Sequence, residues 1–264
     1  MLFFLWTFSS CREEPVPSYI NIPSISLSTT TSQGSASSLI TDAWVYADAN
    51  LQGVYPLPVE FPFLAEGSAR LIIFAGIKLN GISATRASYP LYSPDTIDIV
   101  LEAKITDTVF PAVRYSPAAV FNFIEDFENG SRFTHMQRIT SEVFEGVYSA
   151  RLAADDSSEV IALPDAAYFI PFNTSAAFLE MDYKNNREFI VGIKAFFGTE
   201  GFSVFKLTVT TSNDWNKLYV NFTPEVNQLQ ADNYQIFFSA APDAEPDSVH
   251  IFLDNLKLIH ARVQ

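Results

Sequence analysis

The sequence has few cysteines and histidines, and far fewer basic than acidic residues. Cys11 is the single cysteine in 264 residues, which excludes an intramolecular disulfide. The three histidines, His135, His250 and His260, lack the spacing of zinc ligands. The 16 basic and 30 acidic residues give a formal charge of −14. This charge argues against general nucleic-acid binding and against a polybasic membrane-surface protein.

Motifs for catalysis are also missing. The chain has no G-x-S-x-G elbow, P-loop or H-E-x-x-H sequence. Its hydrophobic content of 48% and aromatic content of 14% are ample for a packed core, so wholesale disorder is excluded. We therefore predict a folded, non-catalytic protein.

The N-terminus is apolar and ends at the cysteine. Residues 1–10 read MLFFLWTFSS, too short to span a bilayer as a helix. The segment FSSC resembles a bacterial lipobox, although the usual positive n-region is missing. The resemblance implies a signal peptide over residues 1–10, cleavage before Cys11 and lipidation of Cys11. The alternative is a frayed apolar end.

Charged residues follow the cysteine at once. Arg12-Glu13-Glu14 resembles the export signal of surface lipoproteins in Bacteroidetes-type bacteria. That resemblance implies an outer-membrane lipoprotein facing the cell exterior, with residues 11–18 as a lipidated tether. The alternative is a solvated charged tether with no sorting role.

Residues 19–115 show the pattern of a β-sandwich. Short apolar runs recur between Pro, Gly, Asn and Asp, and no amphipathic helix stands out. Three prolines in one run, Pro56, Pro58 and Pro62, predict an edge strand. Strands are predicted within 19–27 and at 39–47, 54–63, 69–75, 82–91, 97–102 and 108–115.

The order of features in this segment resembles PEGA-type, prealbumin-like surface domains. Trp44-Val45-Tyr46 precedes Asp48, Gly53 and Pro56, and Gly67 precedes Leu71-Ile72-Ile73. The resemblance implies an Ig-like, non-catalytic domain. Asp98 and Glu102 are similar to an E-x-D-x-x-E glycosidase motif but are out of register, so we place them on the solvent face of a strand.

Residues 118–264 are predicted to form a second, jelly-roll sandwich. Aromatic-rich strands are predicted at 147–153, 158–163, 176–183, 188–196, 203–210, 216–222, 233–240 and 248–259. Four segments carry a resemblance to galactose-binding-like jelly rolls, which include many carbohydrate-binding modules: 125–130, 146–152, 213–218 and 251–258. The resemblance implies the fold but does not fix a ligand.

Two kinds of site follow from that resemblance. Many such jelly rolls carry a structural calcium ion, and Glu128 and Asp254 match the positions that supply carboxylates. The alternative is an Asp-Asn bulge without metal. The tryptophan matching Trp215 packs inside the sandwich in such modules, which implies a core role here. A ligand face is left open: Tyr168, Tyr183, Phe197 and Tyr234 are candidates, but strand aromatics are more often core.

Three tripeptides fit the D-[S/T]-apolar pattern of O-glycosylation in Bacteroidetes-type proteins. They place the modified hydroxyls on Thr96, Thr108 and Ser248. Capping of strands by turn residues explains the same tripeptides equally well.

Two functions compete at this level. In the first, a cell-surface lipoprotein binds glycan through its C-terminal jelly roll. In the second, the chain is an accessory structural subunit of an outer-membrane protein complex. Exposed aromatics on one jelly-roll face favour the first, and a large apolar patch spanning both domains favours the second.

Overall fold

The chain folds almost entirely as β-strands. A computed structural model describes residues 16–64 and 66–263. The predicted signal peptide, Cys11 and Arg12-Glu13-Glu14 lie outside the described residues. Within the described part of the chain, no helix is long and apolar enough to cross a membrane.

The first sandwich precedes residue 116. Its strands are β1 (Ser18–Ile22), β2 (Ser26–Ser28), β3 (Asp42–Ala47), β4 (Asn50–Pro56), β5 (Val59–Phe63), β6 (Gly67–Lys78), β7 (Arg86–Ser88), β8 (Tyr92–Ser93), β9 (Asp95–Leu101), β10 (Thr106–Thr108) and β11 (Ala112–Tyr115). They form three sheets, ordered β4-β3-β6-β7 with β9 also on β6, β10-β1-β5, and β2-β11-β8. Alternating side chains such as Ile20, Ile22, Val45 and Ile73 fill the core between them.

The prolines Pro56 and Pro62 lie in edge strands, as the sequence predicts. The single strand predicted over 54–63 is instead two strands, β4 and β5, which separate at Leu57 and Pro58. Each lies at the edge of its own sheet, where a missing N–H costs no ladder bond. The predicted 108–115 strand is likewise divided into β10 and β11. The PEGA-type resemblance stays a prediction.

The second sandwich begins at residue 119. Its elements are β12 (Ala119–Glu125), β13 (Met136–Ile139), β14 (Ser149–Leu152), β15 (Val160–Ala162), β16 (Ala177–Asn185), β17 (Phe189–Phe197), β18 (Glu200–Val209), β19 (Ser212–Asn221), the helix α1 (Thr223–Leu229), β20 (Asn233–Ala240) and β21 (Ile251–Ala261). One sheet has the order β13-β14-β21-β16-β19 with β12 on β21, and the other is β15-β20-β17-β18.

The two sheets enclose one large apolar core. Inward side chains include Leu179 and Met181 of β16, Leu218 of β19, and Ile236 and Phe238 of β20. The predicted all-β class with a C-terminal jelly roll is confirmed. The strands β12 and β13 were not predicted, because a bulge after Phe121 breaks the alternation of β12 and β13 is short and half polar.

Strands β16 and β21 are buried on both faces. Their inner side chains join the jelly-roll core, whereas their outer side chains join the core of the first sandwich. The outer residues that pack there include Phe178, Ile259 and Ala261, and Tyr219 of the neighbouring strand β19 joins them. The first sandwich therefore covers a large part of the outer face of the six-stranded sheet.

This contact also contains buried polar groups. Tyr89 and Tyr115 of the first sandwich donate hydrogen bonds to the two carboxylate oxygens of Glu180, at 2.7 and 2.8 Å. Lys257 Nζ donates to the Ser35 carbonyl at 2.5 Å and to the Tyr115 hydroxyl at 3.1 Å. Because each buried charge has polar partners across the contact, the relative placement of the two sandwiches is fixed by specific bonds.

Candidate functional site

One end of the six-stranded sheet leaves its outer face open. A cavity of about 270 Å³ lies there, lined by Glu142, Lys184, Asn185, Asn186, Ser212, Asn213, His250 and Phe252. Trp215 adjoins it on the same face of β19. We call this cavity, together with Trp215, the Trp215 groove.

The carboxylate of Glu142 organises the groove. Its Oε1 accepts the indole N–H of Trp215 at 2.9 Å, and its Oε2 pairs with the Lys184 ammonium at 3.0 Å. Phe144 lies beside the indole, with ring centroids 5.6 Å apart. The half-buried Trp215 ring is thus held in place from two sides, and a held ring loses little side-chain entropy when a ligand stacks on it.

Amide side chains fix the walls of the groove. Asn185 donates to the carbonyls of Arg187 and Thr210 and accepts from the Ser212 N–H. Asn186 accepts the His250 N–H at 2.8 Å. The exposed His250 ring lies nearly perpendicular to the Phe252 ring, with centroids 5.6 Å apart. The groove therefore combines flat apolar rings with convergent hydrogen-bonding groups.

The structure corrects the expectation for Trp215. Leu218 and Val220 of β19 point into the jelly-roll core. Because side chains alternate along a strand, Trp215, Lys217 and Tyr219 point to the outer face. Trp215 is half-buried rather than a core residue. Sequence reasoning also missed Glu142 and Lys184. The alternation of side chains along β19 was the sequence signal that places Trp215 on the outer face.

The other candidate aromatics do not form one face. Tyr183 and Tyr234 belong to the jelly-roll core, and the Tyr234 hydroxyl donates to the Val226 carbonyl. Tyr168 is half-buried, and its hydroxyl accepts from Arg132. Of the four, Phe197 alone is exposed.

The two predicted calcium ligands, Glu128 and Asp254, both accept backbone N–H bonds from the loop before β14. Glu128 Oε1 accepts the N–H groups of Val147 and Tyr148, and these bonds lower its pKa. The two oxygens of Asp254 accept the N–H groups of Glu145 and Asn255. Within residues 16–64 and 66–263, no group of three or more His, Cys, Asp or Glu could hold a metal ion. Calcium binding by Glu128 and Asp254 stays a prediction.

The remaining predicted positions lie on the surface or near it. Asp98 and Glu102 are exposed, and Asp98 pairs with Arg70 at 2.7 Å, which agrees with a solvent-facing strand. Thr96 and Thr108 are exposed, and the half-buried Ser248 hydroxyl donates to the Glu245 carbonyl. Glycosylation of these three residues stays a prediction.

Comparison with known proteins gives structural matches only. No protein-family model and no curated protein matches the sequence. A xylan-binding domain of carbohydrate-binding module family 22 from Paenibacillus barcinonensis is 13% identical, with 56% of this chain and 99% of that domain covered, at a TM-score of 0.40. A family 30 module of a Clostridium thermocellum cellulosomal cellulase is 14% identical, covering 55% and 99%, at 0.40. A family 16 module is 15% identical, covering 50% and 94%, at 0.37. Because these TM-scores are low, the functional argument rests on the groove itself.

Proposed function

We propose that the chain is a non-catalytic glycan-binding protein and that its second sandwich holds the sugar in the Trp215 groove. The observation that carries this is the half-buried, outward-facing indole of Trp215, which is fixed by Glu142 at 2.9 Å beside Lys184. Sugar rings present an apolar C–H face that stacks on an aromatic ring, and hydroxyls that need polar partners. The groove offers polar side chains inside its cavity and the Trp215 ring beside it, bonded to the lining residue Glu142.

The size and charge of the groove favour a short, neutral stretch of sugar. Its cavity of about 270 Å³ is at the small end of ligand pockets, which is room for about one or two sugar units. The Lys184 charge is already paired with Glu142, so no unpaired cation of the groove calls for an acidic sugar. An open groove also lets a longer chain extend beyond it at either end.

Affinity electrophoresis tests the proposal. The full chain is run through native gels that contain soluble neutral polysaccharides: xylan, β-glucan or galactan. We expect at least one polysaccharide to retard the wild type, Trp215→Ala to lose that retardation and Trp215→Phe to keep part of it. Phe205→Ala, which removes an exposed ring outside the groove, is the control and stays retarded. Equal retardation of wild type and Trp215→Ala would overturn the assignment of the groove.

The proposed location is the outer membrane, with a lipid on Cys11 and both sandwiches outside the cell. Support comes from the apolar leader that ends at the single cysteine and from Arg12-Glu13-Glu14. A palmitate analogue should label the wild type and not Cys11→Ser. Protease added to intact cells should cleave the wild type, and alanine at 12–14 should protect the protein.

A second candidate function is an accessory subunit of an outer-membrane complex. Phe169 and Phe172, on the loop between β15 and β16, are 62% and 53% exposed, which suits a protein contact. Cross-linking in detergent-solubilised membranes separates the two functions. Loss of a cross-linked partner in Phe169→Ser/Phe172→Ser, with Trp215→Ala unaffected, would favour the accessory role.

A further inference from the structure

A segment of the first sandwich crosses the outer face of the six-stranded sheet. Residues 34–39, which we call the strap, lie between β2 and β3. Gly34 comes so close to the sheet that a Cβ there would be 2.9 Å from the Ile124 side chain, and its φ of +69° suits glycine. Three residues of the strap bond in turn to β21, β16 and β19, in the pairs Ser35 with Lys257, Ser37 with Asp182, and Leu39 with Tyr219.

The strap lies beside the Trp215 groove. Asp182, which bonds to the strap, and Lys184, which lines the groove, are two residues apart on β16 and therefore point to the same face. On β21, Asp254 and Phe252 are their partners in the same order. The strap and the groove are thus neighbouring rows on one sheet face, about 7 Å apart.

The loop between β13 and β14 carries the groups that hold the Trp215 ring. This loop, residues 140–148, is called the groove loop below. It supplies both Glu142, which bonds to the indole, and Phe144, which lies beside it. None of its residues is buried, so hydrogen bonds rather than packing set its path. A bond to this loop can therefore affect how firmly the ring is held.

Glu145 ties the groove loop to its surroundings. Its N–H donates to Asp254 Oδ2 at 3.2 Å, and its Oε2 accepts from Asn255 Nδ2 at 3.3 Å. The Ser35 hydroxyl of the strap donates to the same Oε2. That hydroxyl also accepts the Ser37 N–H at 2.9 Å, which directs its hydrogen toward the carboxylate. Because the acceptor is charged, the bond from Ser35 is stronger than one between neutral groups.

We propose that Ser35 is a positioning residue for glycan binding, because it holds the groove loop through Glu145 and the loop in turn holds Trp215. The inference rests on the proposed function of the Trp215 groove. A loose loop would have to be ordered when the sugar binds, and that loss of entropy lowers the affinity. The first sandwich thereby contributes to glycan binding through a residue that does not touch the sugar.

Acrylamide quenching of Trp215 fluorescence measures how firmly the ring is held, without any glycan. Trp6→Phe/Trp44→Phe in the full chain leaves Trp215 as the only tryptophan. In this background we expect Ser35→Ala to raise the quenching constant about twofold, because the groove loop opens more often. Ser35→Thr keeps the hydroxyl and should stay near the parent value. The matched control is Ser32→Ala, since the exposed Ser32 bonds only to Thr30, and it should change nothing.

Affinity electrophoresis with the polysaccharide that retards the wild type measures the effect on binding. We expect Ser35→Ala to weaken the apparent affinity about fivefold and Ser35→Thr to restore it. Glu145→Ala should weaken binding at least as much. Adding Ser35→Ala to Glu145→Ala should weaken it no further, because both changes break the same bond.

Ser37→Ala separates positioning from a general loosening of the strap. It removes the 2.7 Å bond to the buried Asp182 and should lower the melting temperature, but it leaves the bond from Ser35 to Glu145 in place. Quenching and retardation should then stay near wild type. Unchanged quenching in Ser35→Ala, or an equal rise in Ser37→Ala, would overturn the proposal. If no polysaccharide retards the wild type, the proposed function fails, whereas the quenching constants still support or overturn the holding of Trp215 by Ser35.

Discussion

Lys257 is buried in the contact between the sandwiches, opposite Glu180 on the neighbouring strand. We expect Lys257→Met to lower the free energy of unfolding by about 3 kcal/mol. The variant loses the bonds to Ser35 and Tyr115 and leaves the Glu180 carboxylate buried without its nearby cation. Urea unfolding followed by tryptophan fluorescence measures the loss. Glu180→Gln in the same chain should recover part of it, whereas a fully additive double variant would contradict the coupling.

The same lysine should make stability depend on pH. Burial lowers the pKa of Lys257 to about 8, against the opposing pull of Glu180. An unfolded lysine has a pKa of about 10.4, so between these values the folded state binds fewer protons. The contribution of Lys257 to stability therefore rises with pH above 8. The stability gap between wild type and Lys257→Met should widen from pH 7.5 to pH 9.5. A constant or narrowing gap would contradict this assignment.

Asp254 and Glu128 are the predicted ligands of a structural calcium ion, whose effect on stability can be measured. Burial, with the charge of Asp182 nearby, raises the pKa of Asp254 to about 7. A bound calcium ion would offset the cost of burying this charge, in competition with the two backbone N–H bonds that Asp254 already accepts. We expect calcium to raise the melting temperature above its value in chelator, and Asp254→Ala to abolish that rise. A melting temperature that is the same in chelator and in excess calcium would overturn the calcium site.

At the scale of the strand, Gly192 of β17 is a position where neighbouring atoms leave no room for a side chain. A Cβ at this position would lie 2.1 Å from the Phe237 ring and 2.7 Å from the Val204 carbonyl oxygen. We expect Gly192→Ala to cost about 1–3 kcal/mol of unfolding free energy. Phe237→Leu in the same chain should recover only part of this cost, because the backbone oxygen of Val204 cannot move away as a ring can. Complete recovery would mean that Phe237 alone requires the glycine.

The alternation of apolar residues predicts most of the strands but not which other elements pack against their faces. The run at 233–240 was predicted at its observed bounds, because alternating and aromatic residues specify a strand locally. The two-sided burial of β16 could not be predicted, since the second cover comes from the first sandwich. The family resemblance predicts a core position for Trp215, whereas the alternation set by Leu218 and Val220 puts its side chain on the outer face of β19. Helix α1 has only two turns, and its signal was Pro224 near the start.

At the scale of the whole molecule, the shared contact should make the two sandwiches unfold together. Separation would expose Phe178, Tyr219 and Ile259 and leave Glu180 without its tyrosine donors. Each sandwich thus supplies part of the other's core, and neither can lose its structure without exposing the other's buried surface. We expect one calorimetric transition for the whole chain rather than one for each sandwich.

Tyr115→Phe tests this coupling from the side of the first sandwich. The change removes the 2.8 Å bond to Glu180 and the acceptor for Lys257, at a cost of about 1.5–3 kcal/mol. The single transition should move down by about 5 °C as a whole. Tyr46→Phe is the matched control, because its ring packs on Phe74 within the first sandwich, and it should shift the transition little. Two transitions, with only the first sandwich affected by Tyr115→Phe, would show that the contact does not couple the two halves of the chain.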